Sequence, residues 1–248
     1  MTRTTSRTRV GCRVWMLAMI AAALGLAGAV RADDGDKTLR FLVPGDVAAE
    51  RILPPPPAAD SQITKSELAE LHRIEDARTP ELEAQARSDS KTKDASIFAA
   101  AMGAGFDLAQ LPATARLFAD VRHDEKLAAD AAKAVFKRDR PWVVDPSLKS
   151  CAREDASQTS YPSGHATMAY AMGVILASLA PEHARAILAR SASYAENRLE
   201  CGVHFRSDIV AGQVFGTVLA ERMKHNAKFK AEYAAAAKEL AAAHLTTP

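Results

Sequence analysis

The chain contains no Cys-x-x-Cys pair, no Asn-Gly dipeptide and no internal repeat, and runs of β-branched residues are rare. The first absence removes the usual structural zinc site. The second removes the strongest short-range hairpin signal. The third removes a solenoid or propeller. No cluster of His, Asp and Glu at metal-ligand spacing stands out, which fits a reading without metal or cofactor. Cysteine occurs three times, at positions 12, 151 and 201. What is abundant instead is Ala and Leu, the residues that hold a helix at least cost.

The first 32 residues read as a signal peptide. Arg3, Arg7, Arg9 and Arg13 precede an uncharged stretch from Val14 to Val30, and Val30-Arg31-Ala32 resembles a small-x-small cleavage site. The stretch is of borderline length for a membrane anchor, the competing reading. The whole chain carries a formal charge of +2, but five of its 32 cations are arginines in this leader. The remainder holds 27 cations against 30 acids, a net charge of −3. An acidic remainder offers no nucleic-acid or anionic-membrane surface. The chain is therefore expected to be periplasmic or secreted, with no membrane association after cleavage. About 216 residues remain, enough for one domain with its own core. In an oxidising compartment Cys151 and Cys201 most simply form one disulfide. Closing a loop of roughly 50 residues adds about 4 kcal/mol in the chain-entropy model. Two free thiols are the alternative.

Residues 33–63 are expected to form an extended, Pro-rich arm, since Pro54 to Pro57 cannot enter a helix. From residue 64 to 248 the expectation is an all-α domain of eight or more helices. Ser66 to Leu71 starts one and Pro80 opens another. Asp124 to Arg138 reads as a helix whose acidic start suits its dipole. Residues 166–180, fully apolar and short for a bilayer, read as the centre of a bundle. Pro181 begins a further helix to about residue 199. Ile209, Val210, Val214, Phe215, Val218 and Leu219 recur at helical spacing. Residues 227–244 form an Ala/Lys/Glu surface helix. Ala-rich faces of this kind are compatible with a homodimer.

Chemistry gathers in three blocks. Ser163-Gly164-His165 stands directly before the apolar helix, where unpaired N–H groups and a partial positive charge make an anion cradle. Gly164 admits a ligand to the backbone. In the first block Lys133 and Arg140 are seven residues apart and share a helical face with Lys137, whereas Arg138 does not. In the third, Arg198 ends one helix, Cys201-Gly202 makes a turn, and His204 and Asp208 are four apart at a loop-to-helix junction. Such an Asp can hold one ring nitrogen and leave the other basic. Alone, each block also reads as ordinary caps and solvated charge. Together they offer three cations, a helix start and two imidazoles, a set suited to a phosphoryl group. Trp142 and Tyr161 flank the blocks and read as packing residues, with a place in the substrate pocket as the alternative.

Lys133-x6-Arg140-Pro141, Pro162-Ser163-Gly164-His165 and Arg198-x5-His204-x3-Asp208 resemble the signature shared by the type-2 phosphatidic acid phosphatase superfamily and the vanadium haloperoxidases. Within it the chain most resembles the class A bacterial non-specific acid phosphatases, which also carry a Pro-rich run matched here by Leu53 to Pro57. The resemblance implies an all-helical, metal-free phosphatase acting on small phosphate esters. His204 would form a phosphohistidine and Asp208 would orient it. His165 would serve as general acid and base. Lys133, Arg140, Arg198, Ser163 and the Gly164 N–H would bind the phosphoryl oxygens. Phosphotransfer to other alcohols is a side activity it allows. Asn197 stands where the family usually has Ser, which puts one phosphate contact in doubt. Three alternatives stay open: a vanadium haloperoxidase, a lipid or isoprenoid-diphosphate phosphatase, and a non-catalytic phosphate-binding protein.

Overall fold

A computed structural model describes residues 37–153 and 156–247; the leader reading, residues 1–32, lies outside them. The described residues contain no strand. The helices are α1 (Gln62–Ala77), α2 (Pro80–Lys91), α3 (Ala99–Met102), α4 (Pro112–Phe136), α5 (Pro141–Val144), α6 (Gly164–Leu179), α7 (Ala184–Glu200), α8 (Arg206–Met223) and α9 (Ala227–Ala242). None is long and apolar enough to cross a membrane.

The uncharged run at 164–179 becomes the central helix, α6. Its buried residues, among them Met168, Met172, Ile175 and Leu176, pack against α4, α7 and α8. The contact with α8 is the closest. A Cβ on Gly212 would stand 2.6 Å from the Ser163 carbonyl oxygen, and one on Gly216 only 2.3 Å from that of Thr167. Both neighbours are backbone and cannot rotate away. The two glycines let the helices touch main chain to main chain, and they bring the first turns of α6 and α8 side by side.

Two expectations are corrected. The acidic residues at 124 and 125 are not a helix start. Helix α4 begins twelve residues earlier, at Pro112, so both are mid-helix and buried. Asp124 is retained there because its carboxylate accepts the N–H groups of Arg40, Phe41 and Leu42. It thus ties the segment before the prolines to the bundle. The second correction is the end of α4. It stops at Phe136, and Lys137 takes a left-handed conformation (φ 48°). Lys133, Lys137 and Arg140 therefore share no helical face. The prolines at 54–57 are outside any helix, and Pro54 accepts a hydrogen bond from the Tyr161 hydroxyl at 2.8 Å. Tyr161 is a packing residue, edge-on to Phe136.

Cys151 and Cys201 are disulfide-bonded. The bond holds the loop after α5 to the end of α7, three residues before His204, and the Cys151 N–H donates to the Cys201 carbonyl at 2.9 Å. Replacing both cysteines with serine is expected to lower unfolding free energy by about 4 kcal/mol. Urea denaturation of the variant and of the oxidised protein would measure it; a difference under 1 kcal/mol would show that the crosslink constrains little.

Candidate active site

Each block reaches the same place by a different local device. Lys133 sits in the last turn of α4. The left-handed turn at Lys137 then reverses the chain, so that Arg140 arrives as the N-cap of α5. Two backbone bonds, Arg140 N–H to Ser157 O and Ser160 N–H to Arg138 O, fasten this turn to the segment leading into α6. At the second block, Ser163 caps α6 and donates its own N–H to the Asp208 carbonyl. At the third, Gly202 at φ +64° closes the turn after α7, and Val203 N–H returns to the Arg198 carbonyl. A side chain at 202 would be strained.

The cations converge. Arg140 and Arg198 are each 1% exposed, which excludes a role as solvated helix-end charges. Arg140 Nη1 donates to the Val203 carbonyl and to His204 Nε2, both at 2.9 Å, and its Nη2 donates to Thr159 Oγ1. A Cβ on Gly164 would lie 3.1 Å from Lys133 Nζ, so the ammonium rests against the bare backbone at the start of α6. Lys133, Arg140, Gly164, His165 and His204 line one cavity of about 180 Å³. Arg198 and Ser163 are buried and do not line it. Lys93, Arg122 and Lys126 add positive charge around it, partly offset by Glu125 and Asp130.

The two imidazoles are held in opposite ways. His204 Nδ1 lies 3.3 Å from Asp208 Oδ2, while Nε2 accepts from Arg140. A guanidinium can only donate, so Nε2 carries the lone pair and Nδ1 the proton. His165 Nε2 lies 3.1 Å from the Ser90 carbonyl, which can only accept, so there Nε2 carries the proton. Burial lowers the basicity of both rings. Arg140, Arg198 and Lys133 press His204 further down, and Arg198, Lys93 and Lys133 do the same to His165. Asp208 shows the reverse: burial raises it to about 6, against the pull of Arg138, Ser160 and the Phe205 N–H.

Residues 125–230 match the model of the PAP2 superfamily. An acid phosphatase of Zymomonas mobilis is 32% identical over 195 residues, covering 76% of this chain and 74% of the relative. The chain belongs to the PAP2 superfamily, among the bacterial acid phosphatases. Non-specific acid phosphatases of Providencia stuartii and Salmonella typhi are each 27% identical, over 77% and 78% of this chain and 79% and 80% of the relatives.

Sequence reasoning missed several residues of this PAP2 site. Arg138, read as off the functional face, is buried. It donates to Asp208 Oδ1 at 2.7 Å, to Ser207 and to Glu67, and stacks 4.0 Å over Phe205. Ser160 donates to Asp208 Oδ2 at 2.6 Å. Asp208 therefore faces His204 already surrounded by donors, and it also caps α8 through Phe205 N–H. Asn197 does not turn toward the cavity residues: its amide donates to Asp89 at 2.7 Å. Glu125 is fully buried against the cavity, paired with Arg122, and burial raises it to about 7. Trp142 lies outside the cavity wall, with Arg140 above its ring.

Proposed function

We propose that the protein is an exported acid phosphatase that hydrolyses phosphate monoesters without a metal, through a phosphohistidine. The observation that carries this reading is the opposed tautomers of the two cavity histidines. His204 presents the Nε2 lone pair beside Arg140 while Asp208 holds the Nδ1 proton. Attack of Nε2 on phosphorus forms the P–N bond and breaks the P–O bond to the alcohol, and His165 delivers its proton to the departing oxygen. Water then attacks the phosphohistidine, giving a proton back to His165 and releasing phosphate. Lys133, Arg140 and Arg198 neutralise the charge that spreads over the equatorial oxygens, with Ser163 and the Gly164 N–H completing the cradle. An alcohol taking the place of water would give phosphotransfer. Export rests on the leader reading and on the disulfide, which belongs to an oxidising compartment.

The test is hydrolysis of p-nitrophenyl phosphate in the presence of EDTA, with a rapid quench in alkali to preserve a labelled P–N bond. Turnover that EDTA abolishes, or binding of the ester without turnover, would refute the proposal.

The pH dependence has a definite sign. His204 must be neutral to attack, and its lowered basicity keeps it so well into the acid range. His165 must be protonated to donate, and its lowered basicity means that this form is lost as pH rises, before the ordinary histidine value of 6.5. The profile of kcat/KM, which reports the free enzyme, should be a bell centred on the acid side. A bound phosphoryl anion offsets the three cations and raises His165, so the alkaline limb of kcat should lie at higher pH than that of kcat/KM. A rate that climbs steadily from pH 5 to 9 would contradict the assignment.

A further inference from the structure

Asp89 is a buried carboxylate that the reaction above does not use. It lies in the last turn of α2, beside Ser90. The last four carbonyls of a helix have no partner within it. In α2 that of Ser88 is taken by the Thr92 N–H, and that of Ser90 by His165 Nε2. The turn bearing the Ser90 carbonyl is itself gripped from α7. Arg190 Nη1 and Nη2 donate to the two oxygens of Asp89 at 2.9 and 2.7 Å, and Asn197 adds a third bond at 2.7 Å. Arg190 Nε donates to the Ile97 carbonyl, and the Tyr194 hydroxyl to that of Thr92 at 2.6 Å. Residues 190, 194 and 197 occupy one face of α7. The Tyr194 ring lies beside that of His165, with centroids 5.8 Å apart.

We propose that Asp89, with Arg190 and Asn197, is a positioning cluster for His165: it fixes the end of α2 so that the Ser90 carbonyl accepts the hydrogen bond of Nε2–H and Nδ1 is left to exchange the proton of the reaction. The inference rests on His165 acting as general acid. The carbonyl matters because, although Glu125 and Asp130 line the same cavity, the charges that act most on His165 oppose its protonation. They are Arg198 from α7, Lys133 from α4 and Lys93 from the segment after α2; His204 stands near as well. The Ser90 carbonyl favours the protonated ring.

The experiment compares two esters, p-nitrophenyl phosphate and glucose 6-phosphate. A nitrophenolate leaves with little protonation, whereas a sugar alkoxide needs the proton. His165→Ala, the reference, is expected to depress the alkyl ester roughly a hundredfold more than the aryl ester. Asp89→Asn should shift the same ratio in the same direction by roughly tenfold and move the alkaline limb of kcat/KM to lower pH. Asn197→Ala, which removes one arm of the cluster, should do so by a smaller factor. The ratio cancels the folded fraction, so a poorly folding variant still reads out. An unchanged ratio in Asp89→Asn, while His165→Ala shows the effect, overturns the inference and leaves the phosphatase reading intact. A His165→Ala protein with no leaving-group effect removes the general acid itself, and this inference with it.

Discussion

Replacing His204 with alanine is expected to cut kcat at least about a thousandfold and to abolish covalent labelling by a radioactive phosphate ester. The size follows from what the variant keeps. Lys133, Arg140 and Arg198, the proposed phosphate ligands, remain, so affinity for inorganic phosphate should change by less than about tenfold. What is lost, on the proposed mechanism, is the atom that attacks phosphorus. Arg140 loses its bond to His204 but keeps those to the Val203 carbonyl and Thr159. Rapid-quench labelling and phosphate titration together decide the matter. Label retained by the variant would place the nucleophile elsewhere, and a parallel collapse of phosphate binding would make His204 a structural residue.

The second large effect lies in the fold. Gly212→Ala together with Gly216→Ala should prevent the domain from folding. Each new methyl would meet backbone atoms, at 2.6 Å from the Ser163 oxygen and 2.3 Å from the Thr167 oxygen, where a side-chain shift gives no relief. Overpacking of this kind costs about 3 kcal/mol a site, so the pair approaches the whole stability of an ordinary domain. The single Gly216→Ala variant should melt about 10 °C lower, at 2–4 °C per kcal/mol for a domain of this size. Circular dichroism melts would check both, and a shift under 2 °C for the single change would mean that α6 and α8 can separate cheaply.

The helical class was legible because Ala and Leu dominate and hairpin signals are missing. Helix α6 stood out as an uncharged run with Ser163 before it, and the three blocks announced the cavity. The end of α4 was not legible. Lys137 is a good helix former with no glycine or proline at its own position, and only the fastening of residues 138–140 to 157–160 explains why the chain turns there. Arg138 looked like surface charge because its partners, Asp208 and Glu67, are 70 and 71 residues away. Asp89 sits in Ala-Arg-Ser-Asp-Ser-Lys, which reads as an exposed helix end until α7 is laid across it. In each case the missing information was a long-range contact of a charged side chain, which local periodicity does not encode.

The glycine seam between α6 and α8 separates two tasks along the chain. A side chain at either glycine would collide with main chain, so the close contact of α6 and α8, beside Ser163 and Asp208, depends on these two positions. Lys93, Arg122 and Lys126, by contrast, come from the segment after α2 and from α4, and line the same cavity. On the proposed function, exchanging those three residues should retune which alcohols are accepted while the histidines stay in place. Diversification within this scaffold should therefore be sought in the α2–α4 wall, with the seam left untouched.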